Sequence, residues 1–178
     1  MAINHHKPNK RLAGASLILM LCLTLTACGF QLRGAGGASA LPAEWSRMHL
    51  ASNDPNGELT RIVESTFSAS GIIWVPRAEA QHILRLGPET FSQRNLSVNA
   101  QARAAEFDLQ MSADFMVFDS NRELVMERST ASVNKQMEND PQNVVGKAEE
   151  VRVLQGELRR ELATQILRRI SFFAANVE

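Results

Sequence analysis

The chain has 178 residues, with 19 basic and 19 acidic side chains, two cysteines and 44% hydrophobic residues. This length predicts one domain with a short appendage. The composition excludes an intrinsically disordered chain and a disulfide-rich scaffold. The balanced charge argues against nucleic acid as a partner, because nucleic-acid affinity depends on a surplus of basic side chains.

Residues 1–27 have the pattern of a cleaved signal peptide. Met1 to Arg11 contains three basic side chains and no acidic one, and Leu12 to Leu25 is uncharged and mostly apolar. A membrane-spanning helix needs about 20 apolar residues, so this apolar run is too short to remain as an anchor. A basic start, a short apolar middle and small residues before the cleavage point are typical of a secretory signal.

The cleavage region, Leu25 to Cys28, resembles the lipobox of bacterial lipoproteins. The resemblance implies that Cys28 becomes the first residue and carries a diacylglycerol thioether and an N-acyl chain. Several acyl chains hold a protein on a bilayer almost irreversibly. In the lipoproteins that this segment resembles, an aspartate directly after the cysteine retains the protein in the inner membrane. This chain has Gly29 at that position. We therefore expect a lipid anchor in the outer membrane, with the protein on its periplasmic side.

Cleavage changes the opening counts, since it removes three basic side chains and no acidic one. The mature chain then has 151 residues and a net charge of −3. Its only cysteine is Cys28, so no thiol remains for a disulfide. Residues 28–44 are rich in glycine and alanine, and they predict the lipidated cysteine followed by a flexible tether. Residues 45–178 are predicted to form a single domain around an ordinary apolar core.

The first half of this domain predicts a strand, a helix and a second strand. Loose alternation favours a strand over Trp45 to Leu50. The apolar face from Leu59 to Phe67 predicts a helix, with Asp54 or Asn56 as its N-cap. Gly71 is placed to end this helix in the left-handed conformation. A short apolar strand follows, ending before a proline.

The next segment predicts one long edge strand. Strand-like patterns cover Ile83 to Leu86 and Thr90 to Val98. Gly87 and Pro88 between them predict a bulge. We expect the strand to lie at an edge of the sheet, because proline cannot donate a hydrogen bond to a central ladder.

The strongest strand signal runs from Glu106 to Phe118. Its period of two predicts one face on the core and one in water. The apolar face holds Phe107, Leu109, Met111, Ala113, Phe115 and Val117, and the polar face holds Glu106, Asp108, Gln110, Ser112 and Asp114. A turn over Asp119 to Arg122 then predicts an antiparallel return along Leu124 to Lys135.

The last element is a long amphipathic helix that Asp140 and Pro141 open. Its apolar positions are spaced by three or four: Val144, Ala148, Val151, Leu154, Leu158, Leu162, Ile166, Ile170 and Phe173. Glu149 with Arg152, and Glu157 with Arg160, are spaced to form ion pairs on its wet side. The predicted fold is α+β, in the order β-α-β-β-β-α, with two helices packed on one face of a mainly antiparallel four-stranded sheet.

The mature chain lacks the residue groups that catalysis and metal binding usually need. It has two histidines, His49 and His82, and neither a thiol nucleophile nor a Gly-x-Ser-x-Gly motif. Two histidines so far apart do not predict a zinc site. We therefore expect no enzymatic activity, no metal and no cofactor.

Several short motifs in order resemble the LptE family of lipopolysaccharide-assembly lipoproteins. They are Cys28 to Gly34, Asp54 to Gly57, Ala105 to Phe107, and Asp140 to Gln142 followed by Lys147. The resemblance spans essentially the whole mature chain. It implies that the protein sits as a plug inside the outer-membrane β-barrel LptD and assists assembly of lipopolysaccharide at the outer leaflet.

The resemblance also implies contact with lipopolysaccharide through basic side chains. Lys147 matches the family's basic position after Asp-Pro-Gln, and Arg103 precedes the long strand; Arg94 and Arg85 are further candidates. Arginine suits bidentate contacts to phosphates. Two alternatives stay open: these are ordinary solvated charges, and the protein is a stand-alone periplasmic lipoprotein that acts as a binding module or a cell-wall enzyme accessory.

Overall fold

The computed structural model describes residues 41–98, 104–138 and 144–176, and these belong to one compact unit. The predicted signal peptide, Cys28 and the predicted tether as far as residue 40 lie outside the described residues. The last four residues of the predicted tether, 41–44, are described: Leu41 packs against the core and a 3₁₀ turn begins at Ala43. The elements, in chain order, are β1 (Arg47–Ser52), α1 (Glu58–Ala69), β2 (Ile73–Trp74), β3 (His82–Val98), β4 (Ala104–Asp119), β5 (Leu124–Glu138) and α2 (Val144–Ala174). One turn of 3₁₀ helix precedes β1 and another precedes β3.

The strands form one five-stranded mixed sheet in the order β2-β1-β3-β4-β5. The predicted α+β class is confirmed, but four strands in a mainly antiparallel sheet is wrong. The five strands lie at the five segments predicted one by one, so the predicted order of four omitted one of them. Strand β2, only two residues long, pairs in parallel with β1. Strand β1 also pairs in parallel with β3. Both parallel pairings require crossover connections, and α1 supplies the first of them.

The alternation predicted for β4 is confirmed and places this strand at the centre of the core. All six apolar positions from Phe107 to Val117 are buried, and they pack with the buried face of α2. The polar face differs from the prediction at one position, because Asp108 is only 5% exposed. Its neighbours on that face, Gln110, Ser112 and Asp114, are half-buried.

The bulge predicted in β3 is present, with a register shift between Leu86 and Glu89. A Cβ at Gly87 would lie 3.1 Å from the carbonyl oxygen of Asp114, so this approach favours glycine. Strand β1 ends opposite Leu86. The edge prediction is therefore wrong for the first part of β3, which lies between β1 and β4. It is right for Thr90–Val98, which pairs with β4 alone.

Helix α1 ends as predicted and begins differently. Gly71 follows it with a φ of +95°, the left-handed conformation. The N-cap is Gly57, without a side-chain cap, so the prediction of Asp54 or Asn56 is wrong. Asp54 instead uses its backbone carbonyl, which accepts from the Gly57 N–H at 3.1 Å and the Thr60 hydroxyl at 2.7 Å.

Helix α2 covers the sheet along 31 residues, and its C-terminal half is the more deeply buried. Asp140 and Pro141, its predicted start, lie outside the described residues. The predicted Glu149–Arg152 pair is formed. Glu157 does not pair with Arg160 but with Lys135 of β5, at 2.6 Å, and this ammonium lowers the pKa of Glu157.

Arg159 joins both helices to the sheet. Its guanidinium donates to both carboxylate oxygens of Glu89 on β3, with N–O distances of 2.6 to 2.9 Å, and also to Glu58 at the start of α1. The Arg159 side chain is 14% exposed, so water screens these pairs incompletely. Hydrogen bonding to Glu89 raises the pKa of Arg159. A single side chain thus fixes α2 relative to β3 and α1.

Replacing Arg159 with alanine leaves Glu89 half-buried without its cation. We expect Arg159→Ala to lower the free energy of unfolding by about 2 kcal/mol, less than for a fully buried pair because Glu58 and Glu89 keep some water. Arg152→Ala, which removes the exposed pair with Glu149, is the matched control and is expected to change the free energy of unfolding much less. Urea unfolding measures both, and equal losses would contradict the role given to Arg159.

His82 packs against the 3₁₀ turn Ala43–Trp45 that precedes β1. Its ring stacks on Trp45 at a centroid distance of 3.9 Å and an interplanar angle of 7°. In the part of the chain that the structure describes, its buried Nδ1 has no hydrogen-bond partner. Burial lowers the pKa of His82, opposed by the backbone of Glu44 and by the charges of Asp119 and Glu44. The folded protein therefore favours the neutral ring.

The lowered pKa of His82 makes stability pH-dependent in a defined direction. Above pH 6.5 both states hold the neutral ring; as the pH falls below that value, the unfolded chain gains a proton first. We expect the free energy of unfolding to fall as the pH drops below 6.5, by at most about 1.4 kcal/mol per pH unit from this group and by less because water screens the half-exposed ring. His82→Phe keeps the stacking and removes this contribution. Urea unfolding at several pH values measures the free energy of unfolding of both proteins. The same dependence of this free energy on pH in both would refute the role of His82.

Candidate functional site

The β3–β4 hairpin extends past the end of β1 and carries two of the basic residues singled out from the sequence. We call its end the hairpin tip, made of Arg94–Val98, Ala104–Asp108 and the overlying first turns of α2. Arg94 pairs with Asp108 across the two strands, and Asn95 pairs with Phe107. Side chains at successive positions point to opposite faces of a sheet. The tip therefore has an open face with Asp108 and a face toward α2 with Phe107.

On the open face, Asp108 is held by two donors. Arg94 donates to one carboxylate oxygen at 2.7 Å, and Asn134 of β5 donates to the other at 3.1 Å. These hydrogen bonds, with Arg94 contributing most, lower the pKa of Asp108. The Arg94 side chain remains 66% exposed. Its guanidinium is thus fixed at one end and available to a second anion through its other N–H groups.

On the other face, Lys147 of α2 lies over the ring of Phe107, with Nζ 4.0 Å from the ring centroid. This cation–π contact directs the ammonium toward the tip. Lys147 and Arg152 also line a shallow cavity of about 450 Å³ on the outer side of α2. Leu96, near the end of β3, is a large exposed hydrophobic side chain. The tip therefore combines cations with exposed apolar surface.

The structure brings together some of the predicted contact residues and separates one. Arg94 and Lys147 are both at the tip, on its two faces. Arg103 comes directly before β4 and lies outside the described residues. Arg85 is on the same strand and face as Arg94 but nine positions away, about 30 Å at 3.3 Å per residue. One phosphate group cannot contact both.

Arg85 belongs to a different cavity. Its guanidinium lies 5.3 Å from the ring centroid of Phe118. It lines a cleft of about 540 Å³ on the open face, beside the β3 bulge, together with Asn53, Asp114 and Arg128. Asp114 accepts a hydrogen bond from Thr130 at 2.6 Å. This cleft is polar and remote from the tip.

The ion pair of Asp108 is the tip feature that the sequence interpretation missed. Asp108 was assigned to water because it alternates with core residues. A signal was nevertheless present, since Arg94 and Asp108 are equally distant from residue 101, at the middle of the connection between β3 and β4. Antiparallel hairpin pairing places such residues opposite each other.

The described residues contain neither a metal-binding cluster nor a helix that could span a membrane. Among them, no group of three His, Cys, Asp or Glu side chains could hold a metal ion. Within the same residues, neither helix combines the length and apolar composition that crossing a bilayer requires. The tip instead has the chemistry of a binding surface for anionic groups on an amphiphilic molecule.

Comparison with solved structures supports this fold. The crystal structure of rare lipoprotein B from Shewanella oneidensis has a TM-score of 0.64 at 23% identity, covering 74% of this chain and 98% of that chain. The solution structure of a lipoprotein B from Nitrosomonas europaea has a TM-score of 0.68 at 22% identity, covering 83% and 94%. At these identities the similarity shows the shared fold.

Comparison of sequences gives the family. The LPS-assembly lipoprotein LptE of Yersinia enterocolitica is 27% identical over 157 residues, which are 86% of this chain and 73% of that protein. The LptE of Photorhabdus laumondii is 26% identical over 157 residues, 87% and 84% of the two chains. Residues 45–170 match the family model described as LptE, lipopolysaccharide-assembly. Because this match runs from just before β1 into the last turns of α2, the chain belongs to the LptE family.

Proposed function

We propose that this protein is an outer-membrane lipoprotein that forms a plug complex with an LptD β-barrel and assists assembly of lipopolysaccharide at the outer leaflet. The observation that carries the proposal is the family match across nearly the whole domain, residues 45–170. The relatives in Yersinia and Photorhabdus have the name LPS-assembly lipoprotein. The protein acts by binding and not as an enzyme.

The anchor in this proposal is Cys28, acylated after removal of residues 1–27. The lipobox from Leu25 to Cys28 supports it, as does the apolar run before it. Leu41, the first described residue, is thirteen positions after Cys28. This length of chain spans at most about 45 Å. The domain therefore stays on the periplasmic side, close to the membrane that holds its lipid.

The plug role is supported by the open face of the sheet. Polar side chains on β4 and β5 pair with one another there, with Gln110 donating to Ser132 at 2.9 Å and Thr130 to Asp114 at 2.6 Å. The helices cover the opposite face with the apolar core. A polar, ordered sheet face suits the polar interior of an outer-membrane barrel. An apolar face would not find complementary groups on that wall.

Contact with lipopolysaccharide is assigned to the hairpin tip through Lys147 and Arg94, with Arg103, which lies outside the described residues, as a further candidate. The phosphates of lipid A are dianionic acceptors that suit guanidinium and ammonium donors. The pair with Asp108 and the ring of Phe107 hold two of these cations in place, so less side-chain entropy is lost on binding. Arg85 remains a separate candidate at the other end of the strand.

Isolation from membranes tests the plug complex. We expect the tagged full-length protein, extracted with mild detergent, to co-purify with an outer-membrane β-barrel in equimolar amount. A Cys28→Ala variant with an otherwise intact signal peptide controls for anchoring. Recovery of the wild-type protein only as a free lipoprotein would contradict the plug role and favour the stand-alone alternative.

Binding measurements at fixed salt test the tip. We expect Lys147→Glu and Arg103→Glu each to weaken lipopolysaccharide binding about tenfold, equal to about 1.4 kcal/mol for a lost charge-assisted contact. Arg94→Gln keeps a donor for Asp108 and lowers affinity less. Arg61→Glu, an exposed charge change on α1, is the control. Affinity unchanged in Lys147→Glu and Arg103→Glu would remove the tip as the site, while loss in Arg85→Glu alone would place binding in the cleft beside the bulge.

A further inference from the structure

The C-terminal end of α2 carries a groove that the proposed function does not use. It is lined by Met126, Arg168, Arg169, Phe172, Phe173 and Asn176 and encloses about 600 Å³. Most of its wall is apolar side chain, with the two arginines at its rim. We call it the terminal groove.

Phe172 dominates the outer surface of this groove. It is 74% exposed, the most exposed of the large hydrophobic side chains among the described residues. Arg168 and Arg169 beside it are exposed as well. Arg169 donates through Nη1 to the Thr130 carbonyl at 2.7 Å, which leaves its other N–H groups toward solvent. An exposed aromatic ring flanked by two guanidinium groups is unusual for a surface that meets only water.

The terminal groove lies where the chain enters the domain. Phe173, on its inner wall, packs edge-on against Trp45 with a centroid distance of 6.3 Å. Leu41 packs against the same core. Trp45, 17 residues after Cys28 in the sequence, therefore lies at this end of the molecule. The hairpin tip is at the other end of α2, since Lys147 and Phe172 are 25 residues apart, about 37 Å along a helix.

We propose that the terminal groove binds the anionic phospholipid surface of the membrane that holds the lipid anchor. This inference rests on the proposed acylation of Cys28. Phe172 enters the headgroup region, and Arg168 and Arg169 pair with lipid phosphates. The limited length of chain between Cys28 and Trp45, which packs against Phe173 of the groove, holds the groove at high local concentration near that surface, so weak individual contacts suffice.

The contact fixes orientation as well as distance. Basic side chains near an anionic membrane surface each gain attraction, and a buried apolar ring adds to it. With the terminal groove on the bilayer, α2 points its other end, with Lys147, away from the anchoring lipid surface. The membrane contact thus directs the hairpin tip away from the leaflet in which the chain is anchored.

Vesicle sedimentation with the mature chain bearing Cys28→Ser tests the groove without the anchor. We expect this protein to bind vesicles of phosphatidylglycerol and phosphatidylethanolamine, and not vesicles of phosphatidylcholine. Phe172→Ala is expected to lower the partition coefficient about tenfold. Arg168→Gln and Arg169→Gln each lower it about fivefold, and added salt lowers it for the wild type.

Matched controls come from the same helix. Val153→Ala removes another exposed apolar side chain, and Arg160→Gln another exposed cation, and both leave binding unchanged. Equal binding by the Phe172→Ala variant and the unsubstituted protein would overturn the proposal. So would concentration-dependent dimers that Phe172→Ala abolishes, because the occupant would then be a second copy. Palmitate labelling of Cys28 in cells is a separate readout, so failure of the anchor is distinguishable from failure of the groove.

Discussion

The alternation of side chains along β4 is the constraint on which the rest of the structure depends. This strand is hydrogen-bonded to β3 on one side and β5 on the other. Its odd-numbered side chains from Phe107 to Val117 form the centre of the core with α2, and its even-numbered ones form the polar face. A slip of one residue would exchange the two faces. The register of β4 therefore decides both what the protein buries and what it presents to a partner.

The elements with strong local patterns could be predicted from the sequence. The period of two in β4, the three-four spacing in α2 and Gly71 after α1 each depend on nearby residues. Strand β2 was predicted as a short apolar segment, but its parallel pairing with β1 was not, because Ile73 and Trp74 are too few to show which neighbour they pair with. The start of α1 was wrong for a different reason. The backbone carbonyl of Asp54 accepts a hydrogen bond from the Thr60 hydroxyl in the first turn of α1. N-cap preferences describe side chains and therefore do not predict such a contact.

The candidate site was predictable where a motif carried it and hidden where distant residues meet. Lys147 was predicted from its match to a family position and Arg94 as a further basic candidate, and Phe107 and Asp108 explain where the structure holds them. Arg159 joins Glu89 and Glu58, which are 70 and 101 positions away in the sequence. No spacing rule connects such residues. Phe172 does not lie on the apolar face of α2, so the three-four spacing does not predict what it contacts.

The contact of Lys147 with the ring of Phe107 makes the length of α2 depend on the length of the β3–β4 hairpin. From Lys147 to Arg159, α2 rises about 18 Å. From Phe107 to Ala113, beside the Arg159–Glu89 contact, β4 extends about 20 Å. Helix α2 and strand β4 therefore cover nearly the same distance between these two contacts. In a relative whose hairpin is longer by two residues per strand, about 7 Å, the helix must start some four residues earlier to keep a lysine above the ring. The geometry therefore predicts that, among relatives, a longer β3–β4 hairpin comes with an earlier start of α2, although β5 separates the two in the sequence.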